Sequence, residues 1–167
     1  MNAAGNLLLS VDEDGKAILS HLQRRLVLYH FSFKGPVHFL VFAPSGHHIA
    51  AAIGRMVEIW QVPELSDTLN QEGLAFAPFI RARVFSGHND QVQHLQWSKD
   101  GRFLLSSSKD LTSRIWSRDP EEGFSPTALA GHREGVVGAW FSSNQENVSH
   151  TTSWQSSIIN FYCRFIH

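Results

Sequence analysis

The chain has 167 residues, of which 43% are hydrophobic and 17% charged, and its formal net charge is −1 with ten histidines counted as neutral. This length and composition predict a globular domain with a sizeable core and argue against a disordered chain. The near-neutral charge argues against a strongly basic nucleic-acid binder, and the lack of an 18-residue apolar run predicts that nothing spans a membrane.

The cysteine content and the first residues indicate where the chain is found. The single cysteine, Cys163, cannot form an intramolecular disulfide framework, and this fits a reducing compartment. Residues 1–5 do not read as a secretory signal, because no basic segment precedes a long apolar run.

Short apolar, β-branched and aromatic runs alternate with turn residues along the chain. The predicted strands are 7–11, 16–22, 26–33, 37–42, 48–53, 56–62, 80–85, 91–97, 102–107, 112–117 and 135–141, and segment 127–130 leads into a Gly-His pair. No long segment has the 3.6-residue apolar period of a helix, although residues 63–74 are expected to hold a short helical turn. The pattern therefore predicts an all-β fold.

The strands recur in a repeated unit. Gly35, Gly87 and Gly131 each open a unit, at spacings of 52 and 44 residues, and an inserted loop at 63–78 explains the longer spacing. We divide the chain into units at about 5–33, 35–85, 87–130 and 131–150, followed by a degenerate tail at 151–167. A period near 40–45 residues with Gly-His and Trp marks is typical of a β-propeller blade.

The third unit carries the fullest pattern, and the residues that define it are Gly87-His88, Trp97, Ser106, Asp110 and Ile115-Trp116. In these residues the chain resembles the WD-repeat family of β-propellers. The resemblance implies a partial WD-repeat propeller with about two full blades of four antiparallel strands and incomplete blades on either side. It also implies a structural tetrad of hydrogen-bonded side chains, formed by His88, Ser106, Asp110 and Trp116.

The second unit departs from the pattern. It keeps Trp60, but Pro36, Ala50 and Gly54 stand where the His, Ser and Asp are expected. We therefore predict that this blade depends on apolar packing alone.

The first and fourth units match the pattern in part. The first has Ser10 and Asp14 at the spacing of four seen in the third unit, but a serine at the position of the tryptophan. The fourth opens with Gly131 and His132, yet the expected offsets lead to His150 and Trp154. We predict that no polar chain of the third unit's kind forms there.

Two sets of residues allow a catalytic or metal-binding interpretation as well as a structural one. Ser106, His88 and Asp110 are the residue types of a catalytic triad, but no nucleophile elbow or oxyanion hole accompanies them, so we favour the structural tetrad. His47 and His48 are adjacent and point apart in a strand, and no spacing fits zinc. We expect no catalytic residue, metal or cofactor.

Basic residues and loops supply the remaining candidate surfaces. The basic residues alternate with acidic ones, so we interpret them as solvated charge in preference to an RNA-contacting surface. They are Lys34, Arg55, Arg81, Arg83, Arg102, Arg114 and Arg133. The loops at 63–78 and 119–125 are either plain surface loops or partner-docking loops.

Three further runs, at 31–37, 108–116 and 129–141, resemble a nucleolar WD-repeat subunit of the small-subunit processome. This resemblance implies a non-catalytic protein–protein interaction scaffold in the nucleolus, acting in ribosome biogenesis through small-subunit pre-rRNA processing. Its partners would be other WD-repeat proteins of the processome, and the pre-rRNA and guide-RNA particle would be reached through the complex. No membrane or small-molecule substrate is implied.

Two other functions are weighed against the processome scaffold. One is a WD-repeat adaptor elsewhere, such as a ubiquitin-ligase receptor or a vesicle coat. The other is a propeller enzyme, for which no nucleophile, metal set or carboxylate pair is visible.

The incomplete set of blades has a consequence for stability. Open blade faces and unpaired strand edges promote association, so we expect the chain alone to be marginally stable or to aggregate. The polar segment after residue 150 is the pattern expected of a truncation, a changed reading frame or a retained intron.

Overall fold

The computed structural model describes residues 1–63, 79–119, 124–142, 147–152 and 159–162. These residues contain fourteen β-strands, which form four antiparallel sheets in chain order. Among them, no helix is long and apolar enough to cross a membrane.

Each sheet is built from consecutive strands that pair in the order of the chain. The first sheet contains β1 (Leu7–Val11), β2 (Lys16–His21) and β3 (Leu26–Ser32), and the second contains β4 (Val37–Phe42), β5 (His48–Ile53), β6 (Met56–Gln61) and β7 (Ile80–Phe85). The third contains β8 (Val92–Trp97), β9 (Phe103–Ser108), β10 (Thr112–Ser117) and β11 (Thr127–Ala130), and the fourth contains β12 (Val136–Phe141), β13 (Asn147–Thr152) and β14 (Ile159–Tyr162).

The predicted all-β class and the eleven predicted strands are confirmed, with ends that differ by at most one residue. The fourth sheet continues past the predicted boundary at residue 150, because β13 pairs with β12 and β14 pairs with β13. Within β13 the Val148 side chain is buried against the third sheet, and this anchors an otherwise polar strand. The predicted helical turn falls mainly on residues 64–74, which lie outside the described residues.

The sheets pack face to face, and a hydrophobic cluster fills each of the three interfaces. Strand β5 shows how the sequence supports this arrangement. Ile49, Ala51 and Ile53 belong to the cluster shared with the first sheet, and Ala50 and Ala52 belong to the cluster shared with the third. Because successive side chains of a strand point to opposite faces, a strand with apolar residues at every position can be buried on both sides.

The first strands of the second, third and fourth sheets lie side by side, β4 next to β8 and β8 next to β12. Each of these inner strands has a register irregularity in the same place, at Val37/Phe39, Val92/His94 and Val136/Gly138. The three sheets are therefore copies of one unit with the same edge turned inward.

Equivalent turns show how the first sheet fits this scheme. Backbone N–H groups donate to carbonyl oxygens from Asn2 to Leu7 (3.0 Å), from Ala43 to His48 (2.8 Å) and from Ser98 to Phe103 (2.9 Å). Each turn has a glycine in the left-handed region, at Gly5, Gly46 and Gly101. Strand β1 thus corresponds to β5 and β9, and β3 corresponds to the outer strands β7 and β11.

A close backbone approach links the first sheet to the start of the second unit. A Cβ atom on Gly15 would collide with the carbonyl oxygen of Gly35, and Gly15 has φ +82°. We expect Gly15→Ala to lower the free energy of unfolding by about 2 kcal/mol more than Gly5→Ala. Gly5 has φ +71° and no atom lies within 4 Å of an added Cβ, so Gly5→Ala introduces backbone strain without a steric collision. Urea denaturation measures both variants, and equal losses would contradict the packing argument.

Candidate functional site

Four side chains of the third unit meet between the second and third sheets. Ser106 on β9 and Trp116 on β10 lie on the sheet face that packs against the second sheet. His88 precedes β8, and Asp110 lies in the turn between β9 and β10. Ser106 is 0% exposed and His88 and Trp116 are buried, so every polar atom in this group needs a partner inside the protein.

The four side chains form one continuous hydrogen-bonded chain. His88 Nδ1 lies 2.9 Å from Asp110 Oδ2, and His88 Nε2 lies 2.7 Å from Ser106 Oγ. The indole Nε1–H of Trp116 donates to Ser106 Oγ at 2.8 Å. The consistent proton assignment has His88 donating from Nδ1 to the carboxylate while the Ser106 hydroxyl donates to Nε2.

Asp110 organises the turn as well as the imidazole. Its carboxylate also accepts hydrogen bonds from the Asn89 N–H (2.8 Å), the Thr112 N–H (3.1 Å) and the Thr112 hydroxyl (2.7 Å). Burial alone would raise the pKa of Asp110, but the hydrogen bonds from Thr112, Asn89 and His88 outweigh it and lower that pKa. The ionised carboxylate therefore fixes a turn in which Leu111 adopts φ +71°.

The geometry of the tetrad argues against a catalytic triad of Ser106, His88 and Asp110. Burial lowers the pKa of His88, although the hydrogen bond and charge of Asp110 oppose this, so the imidazole is neutral at pH 7. The Ser106 hydroxyl is held by His88 and Trp116 and has no exposed surface. A substrate cannot reach this oxygen without local unfolding, and we interpret the tetrad as a tie between strands.

Gly87 is needed because the chain passes close to the tetrad. An added Cβ would lie 3.1 Å from Arg114 Nη1 and 3.2 Å from the ring of Trp116, both tighter than side chains usually pack. Phe85 also contacts Trp116, because its ring stacks on the indole with the ring centroids 5.0 Å apart. The Gly-His pair thus lets the loop lie over the indole while His88 turns inward.

The strand register of the second sheet corrects the predicted alignment. Trp60 pairs with Ile49 in the same way that Trp116 pairs with Leu104. Counting from these pairs, Ala51 and not Ala50 occupies the position of Ser106. The prediction of Ala50 was wrong because the turn between β5 and β6 is one residue shorter than the turn between β9 and β10.

The second sheet has its own polar tie, so the prediction of apolar packing alone was also wrong. Glu58 is 3% exposed, and its carboxylate accepts a hydrogen bond from Trp60 Nε1 at 2.9 Å. Arg81 on β7 donates to the other carboxylate oxygen at 3.1 Å. The signal was available in the sequence, because Glu58 is the acidic residue of an apolar strand and lies two positions before Trp60 on the same face.

The structure does not bring the predicted residues of the first unit together. Ser10 and Asp14 are exposed, and Asp14 lies 3.6 Å from Lys16 in a solvated ion pair. The turn is held instead by Asp12, whose carboxylate accepts the Lys16 N–H at 2.7 Å. Ser10 Oγ makes only a 3.5 Å contact with the Ile18 carbonyl oxygen.

The fourth unit can be compared only at its start. His132 is buried just before β12, in the place that His88 has before β8, and Gly131 before it has φ +145°. The side chain of His150 and all of Trp154 lie outside the described residues. Whether a polar chain forms in this unit stays a prediction.

Four of the seven basic residues considered for RNA contact interact with other groups of the protein. Arg81 pairs with Glu58, and Arg83 Nη1 donates to the Arg118 carbonyl oxygen at 3.1 Å. Arg114 lies over the Trp116 ring at 6.0 Å, and Arg102 lies over the Phe103 ring at 5.6 Å. In the described part of the chain, no group of three or more His, Cys, Asp or Glu could hold a metal ion.

Burial lowers the pKa of His48, His88, His94 and His132 below the ordinary value of 6.5. A histidine with a lowered folded-state pKa is protonated first in the unfolded chain as the pH falls. Stability is therefore fully present above pH 6.5 and is lost as the pH falls from there through the folded-state pKa.

His94 offers a direct test of this pH dependence, because its ring lies between those of Phe39 (4.7 Å) and Trp140 (5.3 Å). We expect His94→Phe to reduce the loss of stability between about pH 7 and pH 5 by up to about 1.4 kcal/mol per pH unit. His38→Phe, at an exposed position of β4, is the matched control for exchanging a histidine for phenylalanine on an inner strand. Urea denaturation at a series of pH values gives both slopes, and parallel curves for wild type and His94→Phe would contradict the expectation.

The comparison with protein families agrees with the repeat. The family model described as "WD domain, G-beta repeat" matches residues 80–117, which run from β7 to the end of β10. Four consecutive antiparallel sheets, stacked face to face with the first strands of the second, third and fourth sheets inward, are the matching architecture. The chain belongs to the WD-repeat family of β-propeller proteins.

Within that family the chain is similar to periodic tryptophan protein 2, the member that the runs at 31–37, 108–116 and 129–141 resemble. It is 55% identical over 157 residues to the homologue of Neurospora crassa, covering 94% of this chain and 17% of that protein. It is 43% identical over 148 residues to the Schizosaccharomyces pombe homologue and 44% identical over 149 residues to the Saccharomyces cerevisiae protein. Each of these matches covers 89% of this chain, but only 17% and 16% of the relative. The chain thus spans about a sixth of the length of the curated relatives it matches.

Proposed function

We propose that this chain is part of a non-catalytic WD-repeat scaffold subunit of the small-subunit processome, acting in the nucleolus in pre-rRNA processing. The observation that carries the proposal is the 55% identity to a periodic tryptophan protein 2 homologue over 94% of the chain. Resemblance to that protein implies a processome subunit. Its partners would be other WD-repeat proteins of the same complex.

The contacts inside the chain support a scaffold mechanism. The polar groups best suited to chemistry, in the tetrad and at Glu58, make hydrogen bonds within one blade. Rigid blades present loops and strand edges in fixed directions, and this is the property that a scaffold needs. RNA would be reached through the assembled complex, because the basic side chains of Arg81 and Arg83 pair within the protein.

The proposal is tested by purifying the natural protein from cells with an affinity tag. We expect the 5′ region of pre-rRNA and other WD-repeat subunits to co-purify, about tenfold above an untagged control. The protein partners should remain after RNase treatment, because a scaffold binds them through protein surfaces. Co-purification of ubiquitin-ligase or coat subunits without pre-rRNA would contradict the proposal and favour an adaptor elsewhere.

A pair of variants tests whether co-purification of pre-rRNA depends on an intact third blade. Asp110→Ala removes the carboxylate that holds His88 in the tetrad, whereas Asp14→Ala removes a solvated carboxylate at the corresponding turn of the first sheet. Only Asp110→Ala is expected to lower the yield of pre-rRNA.

A further inference from the structure

Within the described residues, the outer strand β3 has neither the charged side chains nor the short length of the other outer strands β7 and β11. Natural sheets shield exposed edges with charged residues or by keeping the edge strand short. Strand β7 carries Arg81 and Arg83, and β11 is only four residues long. Strand β3, at seven residues, is the longest of the fourteen described strands and contains no Lys, Arg, Asp or Glu.

The register makes the contrast between β3 and β7 specific. Both strands have an irregularity at the same place, between Leu19 and Ser20 in the first sheet and between Ile59 and Trp60 in the second. Counting from it, Val27 takes the position of Arg81, and Tyr29 takes the position of Arg83. Both strands have the irregularity, so it does not distinguish their edges. The edges differ because two cations of β7 are replaced by uncharged side chains in β3.

Apolar surface accompanies this edge. Leu26 and Val27, at the start of β3, are 50% and 56% exposed. Val27 pairs with Ser20 on the sheet face that points away from the second sheet, whereas Leu26 pairs with the buried His21. Apolar side chains beside an open strand edge are the features that strand-adding partners use, since the backbone gives affinity and alternate side chains give specificity.

The charge around β3 indicates what kind of segment would bind. From Gly15 to Val57 the chain has five Lys or Arg residues and no Asp or Glu, although the whole chain has 14 and 15 of these. Arg24 and Arg25 lie in the turn that leads into β3, and both are exposed. Arg25 adopts φ +52°, a conformation that non-glycine residues seldom adopt.

We propose that the outer edge of β3 receives an extended acidic segment of a partner protein, which adds to the first sheet as a further strand. Its backbone hydrogen-bonds to β3, its apolar side chains pack on Leu26 and Val27, and its carboxylates lie near Arg24 and Arg25. A protein strand fits this edge better than RNA does, because the edge offers apolar side chains and regularly spaced amides. The inference does not depend on the proposed place in the processome.

The first experiment places a photo-cross-linking amino acid at position 27 of the natural protein in cells. The matched control is position 84, since Val84 is an exposed valine on the charged strand β7. We expect position 27 to cross-link to an acidic segment of another protein, about tenfold more than position 84 does. Equal cross-linking at both positions would overturn the proposal, as would cross-links to RNA, to a second copy or to residues 64–78 of the same chain.

The second experiment uses a synthetic peptide of the cross-linked segment as the probe and the purified natural protein. Val27→Lys should weaken peptide binding about tenfold or more, and Val84→Lys should change it less than about twofold. The double variant Arg24→Glu/Arg25→Glu should weaken binding to a similar degree, with Arg55→Glu as its control, because Arg55 lies in the same basic stretch on another turn. Unchanged melting temperatures separate lost binding from lost folding. Wild-type affinity in Val27→Lys, or faster amide exchange in β3 on peptide addition, would overturn the proposal.

Discussion

Replacing Asp110 with alanine is expected to lower the free energy of unfolding by about 3 kcal/mol. The carboxylate is 5% exposed and accepts hydrogen bonds from His88, the Asn89 N–H, and both the N–H and the hydroxyl of Thr112. Removing it leaves several donors in and around a buried imidazole without an acceptor. An unsatisfied buried donor loses its full hydration, so the loss exceeds that of an ordinary hydrogen bond.

Asp14→Ala is the matched control for this prediction. Asp14 belongs to the equivalent turn of the first sheet, but its side chain is 79% exposed and its partner Lys16 is also solvated. A solvated ion pair adds little, so the loss should stay below about 0.5 kcal/mol. Equilibrium urea denaturation followed by tryptophan fluorescence measures both variants. Losses of the same size in the two would show that the tetrad does not stabilise the third blade.

Replacing Glu58 with alanine is expected to lower the free energy of unfolding by about 3 kcal/mol, as much as replacing Asp110 does. The substitution leaves the indole N–H of Trp60 without its hydrogen-bond acceptor and Arg81 without its carboxylate partner. Glu58→Gln should lose only about 1 kcal/mol, because the amide oxygen can still accept the hydrogen bond from Trp60.

Arg81→Ala separates the two partners of Glu58. The Arg81 side chain is 40% exposed, so water screens its pairing with Glu58, and the loss should stay below about 1 kcal/mol. Urea denaturation of all three variants gives the order of stability Arg81→Ala, then Glu58→Gln, then Glu58→Ala as the least stable. A Glu58→Ala protein as stable as wild type would contradict the role of this carboxylate.

The fold could be predicted from the sequence because its determinants are local. Turns such as Asp12–Gly15 and Ser98–Gly101 separate runs of about six apolar or alternating residues, and each run became a strand within one residue of its predicted ends. Strands β13 and β14 were missed, since β13 is mostly polar and its place is set by pairing with β12. Pairing of that kind is not visible in the composition of the strand itself.

The candidate site was predictable only where the spacing of the family pattern is kept. In the third unit the spacing indicated the four side chains that the structure joins in one chain of hydrogen bonds. In the second unit a turn shorter by one residue shifted the count from Ala51 to Ala50. A one-residue change in register moves a side chain to the other face of a sheet, so spacing alone cannot replace the pairing.

The scaffold proposal is tested most directly by an exchange of segments. The part of Saccharomyces cerevisiae periodic tryptophan protein 2 that aligns with this chain, at 44% identity over 149 residues, is replaced by this chain. We predict that the chimera accumulates normally and co-purifies pre-rRNA, that adding Asp14→Ala leaves the yield of pre-rRNA unchanged, and that adding Asp110→Ala lowers it. A chimera that accumulates to the parental level but recovers no pre-rRNA would contradict the proposal that this chain serves the processome.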